Sequence, residues 1–398
     1  MSSHYLDHAA TTPMLESARA AYVEELARVG NPSALHTSGR LARSVVEDAR
    51  ERLAAALGAH ATEVIWTSGG TEADNIALKG LYWARRGVSA RRTRIVTTAI
   101  EHHAGLDPVH WLEAEHGATV VALPVDEEGR VDLDALRAEV AAHVDHIALV
   151  SVMWANNEVG TVQPVREIVS IAAEHDIPVH ADAVQAVGHI PVDFRASGLA
   201  TMAVSAHKFG GPVGVGALVA RRDVTITPLT HGGGQERKVR SGTLNTAGFH
   251  AASVAAAEAV STMDAEAQRL GALQRQLVSR IREAVPGARL SGPEPGPERL
   301  PGNVHFVFPG CAAEAMMFVL DSHGVEASNG SACTAGVAQA SHVLVAMGRS
   351  ERDAASTMRF SLGHTSTQAD LDALVEVLPE AVARARNVAG AFDSSVCG

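Results

Sequence analysis

A chain of 398 residues is long enough for one large or two medium domains around a sizeable core, which excludes a peptide hormone and a disulfide-stapled miniprotein. Its 33 basic and 45 acidic side chains leave a formal net charge of −12, so the surface as a whole repels nucleic acid and direct nucleic-acid binding is not expected. Only three residues are Lys (Lys79, Lys208, Lys238) and three are Cys (Cys311, Cys333, Cys397), so chemistry that needs an amine or a thiol has few candidates.

The cysteines show no C-x-x-C spacing, which argues against a zinc ribbon or a secreted disulfide framework and fits a reducing cytoplasm. The N-terminal MSSHYLDHAATTP has no basic region followed by an apolar one, and no apolar run reaches the roughly 18 residues of a membrane span. A soluble cytoplasmic protein without membrane contact is expected.

From about residue 60 to 220, short apolar runs (EVIWTS, RIVTT, ATVVALP, HIALVSV, IPVHAD, LATMAVS, VGALVA) alternate with helical stretches such as LDPVHWLEAEH. This order predicts a mainly parallel central sheet with helices on both faces, since nearly continuous apolar strands require burial on both sides. SGGTEADN at 68–75 falls between the first strand and its helix. Its small residues and the helix N-terminus suit a phosphate, although a plain strand-to-helix turn capped by Thr71 reads the same way.

Farther on, DAVQ (Asp182, Gln185) and SAHKFGG (Ser205, His207, Lys208) each follow a strand, at the edge where open α/β sheets place ligands. A lysine there, among apolar and glycine residues, can lose its proton and form a Schiff base, whereas Lys79 and Lys238 sit in polar surface patterns. A carboxylate such as Asp182 could keep a pyridine ring protonated, or could cap a helix. After HGGG (231–234) a long Ala-rich helix is predicted over about 247–285, then a Pro/Gly break at 291–303. The strand-like NVHFVF and MRFSL, the helix-like AAEAMMFVLDSH and a closing helix from about 367 to 388 predict a smaller α+β domain. Within it Cys333 lies among small and polar residues, which suits an exposed thiol. Cys311 reads as a packed apolar residue and Cys397 as part of a tail.

The motifs YLDHAATTP, GNPSALH, TSGGTEADN, EHHA, NNEVG, DAVQAVG, SAHKFGGPVGVGAL, HGGGQERKVRSGT, SNGSACTAG and RFSLGHT occur in this order nearly from end to end. In them the chain resembles the cysteine desulfurases, class V aminotransferase-like enzymes that depend on pyridoxal phosphate, in the branch with a short cysteine loop serving general sulfur mobilisation.

The resemblance implies a fold-type I pyridoxal-phosphate transferase, with a large cofactor domain over 15–260 and a small domain of 1–14 and 261–398. It implies that Lys208 holds the cofactor through a Schiff base, that Asp182 pairs with the ring nitrogen and that Gln185 bonds the ring hydroxyl. His102 would stack on the ring and shuttle protons, with His103 a neighbour. Gly70, Thr71, Ser205 and His207 would bind the phosphate, joined by Thr243 reaching across a homodimer. Asn157 and Arg359 would hold the carboxylate of L-cysteine, Asn157 also touching the cofactor, and His36 would neighbour cofactor or substrate. Cys333 would take the sulfur as a persulfide for an acceptor or scaffold protein, and could also bridge transiently to an iron–sulfur unit there.

Iron–sulfur cluster assembly is the implied destination, with tRNA thiolation and DNA phosphorothioation as alternatives. A selenocysteine lyase, an aminotransferase or a non-catalytic scaffold are the rival readings. Two departures from the family pattern, Asn329 in place of a second Ser and HTST after RFSLG, leave the implied catalytic positions intact.

Overall fold

The computed structural model describes residues 3–330 and 340–396. The chain opens with β1 (His4–Tyr5), α1 (Glu16–Leu26) and α2 (Thr37–Ala56). It then alternates through β2 (Val64–Thr67), α3 (Gly70–Val88), β3 (Arg94–Thr98), α4 (His103–His116), β4 (Thr119–Leu123), α5 (Leu133–His143) and β5 (Ile147–Ser151). The alternation continues with α6 (Val165–Ala173), β6 (Val179–Asp182), α7 (Phe194–Ser197), β7 (Thr201–Ser205) and β8 (Gly216–Ala220). These strands form one seven-stranded sheet in the order β2-β8-β7-β6-β5-β3-β4. Only β8 runs antiparallel to its neighbours; the other pairs are parallel, as the alternating pattern predicts.

The period-2 alternation of a strand explains why these runs are apolar throughout. On β2, Val64 and Trp66 face a core that includes Val46 and Leu53 of α2, while Ile65 faces a second cluster with Ile76 and Leu81 of α3 and Leu112 of α4. On β7, Met202 and Val204 join the first cluster and Ala203 the second.

Beyond the sheet, α8 (Thr246–Ala284) is followed by β9 (Arg289–Leu290), β10 (Asn303–Val307), α9 (Ala313–Ser322) and β11 (Val325–Glu326). The chain closes with α10 (His342–Ala346), α11 (Glu351–Ala354), β12 (Thr357–Ser361) and α12 (Gln368–Val396). An antiparallel sheet of order β12-β10-β9 carries a separate core of Val304, Phe306, Met358 and Phe360 against Leu320, Leu371 and Leu374. Leu6, next to β1, packs into it, and β1 itself pairs with β11.

The 39-residue α8 is about 58 Å long and serves both cores. Ala251 and Ala255 near its start pack under the large sheet, and Leu277 and Ile281 near its end pack under the small one. Cys311 is buried in this second core as a small apolar residue. Among the described residues no helix is long and apolar enough to cross a membrane.

Candidate active site

The carboxyl ends of β2, β6 and β7 open into a cleft of about 620 Å³, which Arg359 of β12 also lines from the small sheet. Of the positions singled out in the sequence, it gathers Gly70, Thr71, His102, Asn157, Asp182, Gln185, Ser205, His207, Lys208 and Arg359. His36 and Thr243 are exposed and are not among its lining residues; His36 instead caps α2, its Nδ1 accepting the N–H of Gly39 at 3.3 Å. Cys333 lies outside the described residues.

Lys208 is delivered by one turn of 3-10 helix directly after β7. Its Nζ donates to the carbonyls of Ala9 and Ala10, both at 2.7 Å. Burial, helped by the Arg359 charge, pulls its pKa down to about 8, against the opposing pull of Asp182 and Asp7. Such an amine is partly neutral near physiological pH and can attack an aldehyde.

Asp182 ends β6 and accepts the N–H of Val184 at 2.9 Å. Burial raises its pKa, and His102 and Lys208 oppose that rise. Two more buried carboxyls crowd it. Asp74 contacts His180 Nε2 at 3.1 Å and is pushed well above the usual carboxylate range by burial and by Asp182. Glu101, burial-raised to about 8, accepts from Thr98 Oγ1 at 2.6 Å and from the N–H of Met153 at 3.0 Å. A protonated heterocyclic nitrogen beside Asp182 would supply the cation this carboxylate needs.

His102 is the N-cap of α4, and its Nδ1 accepts the N–H of Ala104 at 3.0 Å. Because a backbone N–H can only donate, that bond leaves the proton of the neutral ring on Nε2. Burial lowers the His102 pKa and favours this neutral form.

At the opposite end of the cleft α3 begins. Its first N–H groups have no partner within the helix and its dipole favours an anion. A Cβ on Gly70 would stand 2.6 Å from Val184 Cγ2 and 3.6 Å from Ser205 Cβ, so only glycine keeps this approach open. His207, with its pKa lowered to about 4 by burial and by Lys208, contacts Thr11 Oγ1 at 3.2 Å. Arg240 adds a cation near this end, its Nε bonding Glu72 at 2.9 Å.

Arg359 on β12 donates from Nη1 to the carbonyl of Asn157 at 3.0 Å and from Nη2 to Asp7 at 2.8 Å. Its Nε is buried with no partner among the described residues. The cleft therefore offers an anion cradle at one end, an amine and a carboxylate in the middle, and a guanidinium with spare donor capacity on the small-core side. This set fits pyridoxal phosphate with an amino acid beside it.

The sequence reading gave no role to Asp7, Ala9, Ala10, Asp74 or Glu101. Asp7, Ala9 and Ala10 lie within the quoted motif YLDHAATTP, but the pairing of their groups with Lys208 and Arg359, about 200 and 350 positions away, arises only in the fold.

Residues 4–374 match the family described as aminotransferase class-V. The chain belongs to that family. Within it, the chain is similar over 97% of its length, at 54% identity, to an IscS-like cysteine desulfurase of Mycobacterium tuberculosis, covering 98% of that protein. A cysteine desulfurase IscS of Dictyoglomus turgidum is 42% identical, over 96% of this chain and 95% of the relative. Among solved structures, a NifS-like protein superposes with a TM-score of 0.88 at 34% identity, covering 96% of this chain and all of that one. The aminotransferase class-V fold, dependent on pyridoxal phosphate in its cysteine desulfurases, thus agrees with both the seven-stranded sheet and the contents of the cleft.

Proposed function

We propose that the protein is a cysteine desulfurase that converts L-cysteine to L-alanine and keeps the sulfur as a persulfide on Cys333. The observation that carries this reading is the convergence of Lys208, Asp182, His102, the α3 N-terminus and Arg359 in one cleft, in a chain 54% identical to an IscS-like cysteine desulfurase. Bound pyridoxal phosphate supplies an electron sink for the α-carbon of an attached amino acid.

The chain's own groups do the rest. Lys208, held by the carbonyls of Ala9 and Ala10 with its pKa lowered to about 8, would hold the cofactor through its amine. Asp182 would hold the ring nitrogen, Gln185 would bond the ring hydroxyl, and Gly70, Thr71, Ser205 and His207 would hold the phosphate, all of them lining the one cleft. Arg359 and Asn157 orient the substrate carboxylate, for which a guanidinium fork is better suited than an ammonium. Lys208 and His102 move protons at the α-carbon and its neighbour.

The Cys333 thiolate attacks the substrate sulfur, so that an S–S bond forms as the substrate C–S bond breaks. The electron pair stays with the carbon fragment, which gains protons and leaves as alanine, and Cys333 carries one extra sulfur. The balance is L-cysteine plus a thiol giving L-alanine plus a persulfide.

A homodimer completes this reading, with Thr243 reaching the partner's cofactor and His36 near the shared boundary. The exposed apolar side chains Val29, Leu35 and Leu41 supply a surface that a second copy would cover. Iron–sulfur cluster assembly in the cytoplasm is the destination favoured by the IscS names of the relatives, with the persulfide passed to an acceptor or scaffold protein.

The test is a product assay on the purified, cofactor-loaded protein. With L-cysteine and a reductant it is expected to yield alanine and sulfide in equal amounts. A keto acid in place of alanine would replace this reading with an aminotransferase, and turnover of selenocysteine but not cysteine would replace it with a lyase.

A further inference from the structure

Where α3 covers the large sheet the contact is apolar: Ala73, Ile76 and Ala77 of the helix share one cluster with Ala148, Leu149 and Ala203 of the strands. A line of three polar side chains interrupts it. Asp74 Oδ1 lies 3.1 Å from His180 Nε2 on β6, and His180 Nδ1 lies 2.9 Å from Thr201 Oγ1 on β7, all three residues being buried. His180 and Thr201 are also register partners in the sheet. Burial pushes the Asp74 carboxyl up and pulls the His180 pKa down to about 3, so the ring is neutral. The line is satisfied in either direction, since the threonine hydroxyl donates or accepts. Asp74 Oδ2, however, is buried with no partner among the described residues. An apolar side chain would avoid that cost, so stability alone does not account for Asp74.

The pair joins two elements at a defined point. Asp74 follows Gly70 by four positions, one helical turn or about 6 Å into α3. His180 precedes Asp182 by two positions, on the same face of β6 and about 7 Å deeper. Gly70, Asp74 and Asp182 all line the cleft. The apolar contacts around the pair have no direction, whereas a hydrogen bond fixes both length and angle. We propose that Asp74 is a positioning residue that, through His180, holds the α3 N-terminus and Asp182 at the spacing where one ligand meets both, with its phosphate and its ring nitrogen. The proposal rests on the reading of the cleft as the pyridoxal-phosphate site. A fixed spacing lets the second contact form at high effective concentration once the first has formed, so its loss weakens the linked ligand and spares its separate halves.

The experiment titrates the full chain, stripped of cofactor, with pyridoxal phosphate, with pyridoxal and with inorganic phosphate, by absorbance for the first two and by calorimetry for the third. Wild type is compared with Asp74→Ala, His180→Ala, their double variant and Asp74→Asn. Each alanine variant is expected to bind pyridoxal phosphate about tenfold more weakly, with pyridoxal and inorganic phosphate within about twofold of wild type. The double variant is expected to be no weaker than the poorer single one, because the two side chains act as one link. Asp74→Asn, whose amide can accept from or donate to His180 Nε2, is expected to stay within about threefold of wild type.

Wild-type affinity for pyridoxal phosphate in either alanine variant overturns the proposal. So does an equal loss for pyridoxal or inorganic phosphate, which marks general damage to the cleft, or an Asp74→Asn protein as weak as Asp74→Ala. Where an alanine variant does not fold, Asp74→Leu takes its place, cutting the link while filling the volume, and the same criteria apply. A wild type that does not bind pyridoxal phosphate would overturn the underlying reading and the link with it. A wild type that binds it beside variants that bind it equally well would remove the link alone.

Discussion

Lys208 shows how a single residue is prepared for its task by groups far away in sequence. Two carbonyls at 2.7 Å favour its ammonium form, while burial and Arg359 disfavour it, and the balance brings the pKa down to about 8 from 10.5. Only the neutral amine condenses with an aldehyde, so the rate of cofactor capture by the cofactor-free protein is expected to rise with pH up to about 8 and level off above it. Between pH 7 and 8 the neutral fraction grows roughly fivefold for such a group. Stopped-flow absorbance across pH 6.5–10 checks this; a rate still climbing steeply at pH 10 would mean an ordinary lysine.

At this scale the sequence was informative in an uneven way. Lys208 and Asp182 could be picked out because their residue types and places at strand ends carry chemistry, whereas Arg359, inside β12, came only from the family resemblance. The carbonyls of Ala9 and Ala10, and the buried carboxyls of Asp74 and Glu101, could not. A carbonyl has no residue type, and a buried acid in a helix or turn looks like any surface acid until the chain packs around it.

Among the elements, the strands were the most legible. A run such as HIALVSV is apolar throughout because both faces of β5 are covered, and all five of its strand residues are buried. The Ala-rich pattern placed α8 within one residue at each end of Thr246–Ala284. The two-residue strands β1, β9 and β11 were not foreseen, since two residues carry no period. The antiparallel course of β8 was equally hidden, because direction depends on how the chain returns and not on its local pattern.

The α3 N-terminus is the element with the plainest consequence. Gly70→Ala would put a Cβ 2.6 Å from Val184 Cγ2 and into the cradle beside Ser205. The variant is expected to lose about 1–3 kcal/mol of stability and at least tenfold in cofactor affinity. Denaturant unfolding and equilibrium titration with pyridoxal phosphate measure the two losses separately. Unchanged affinity would remove the phosphate from this end of the cleft.

For the molecule as a whole, α8 links the core under the large sheet to the core under the small one, and Lys208, after β7, and Arg359, on β12, line the same cleft. Thr243 and His36 stay outside that cleft, and the exposed Leu35 (89%) and Val29 (86%) lie near His36 in the chain. These positions make sense if a second copy covers them. Sedimentation is expected to give a dimer, and Leu35→Asp to shift it toward monomer with a loss of activity. A wild type that sediments as a monomer with full activity would refute the shared site.

The central claim, that sulfur passes to a thiol of this chain, is tested most directly by single-turnover alanine formation in cofactor-loaded Cys333→Ser. The account expects the absorbance change on adding L-cysteine to match wild type while alanine stays below about 1% of the wild-type burst. Alanine released by that variant at the wild-type rate would contradict it.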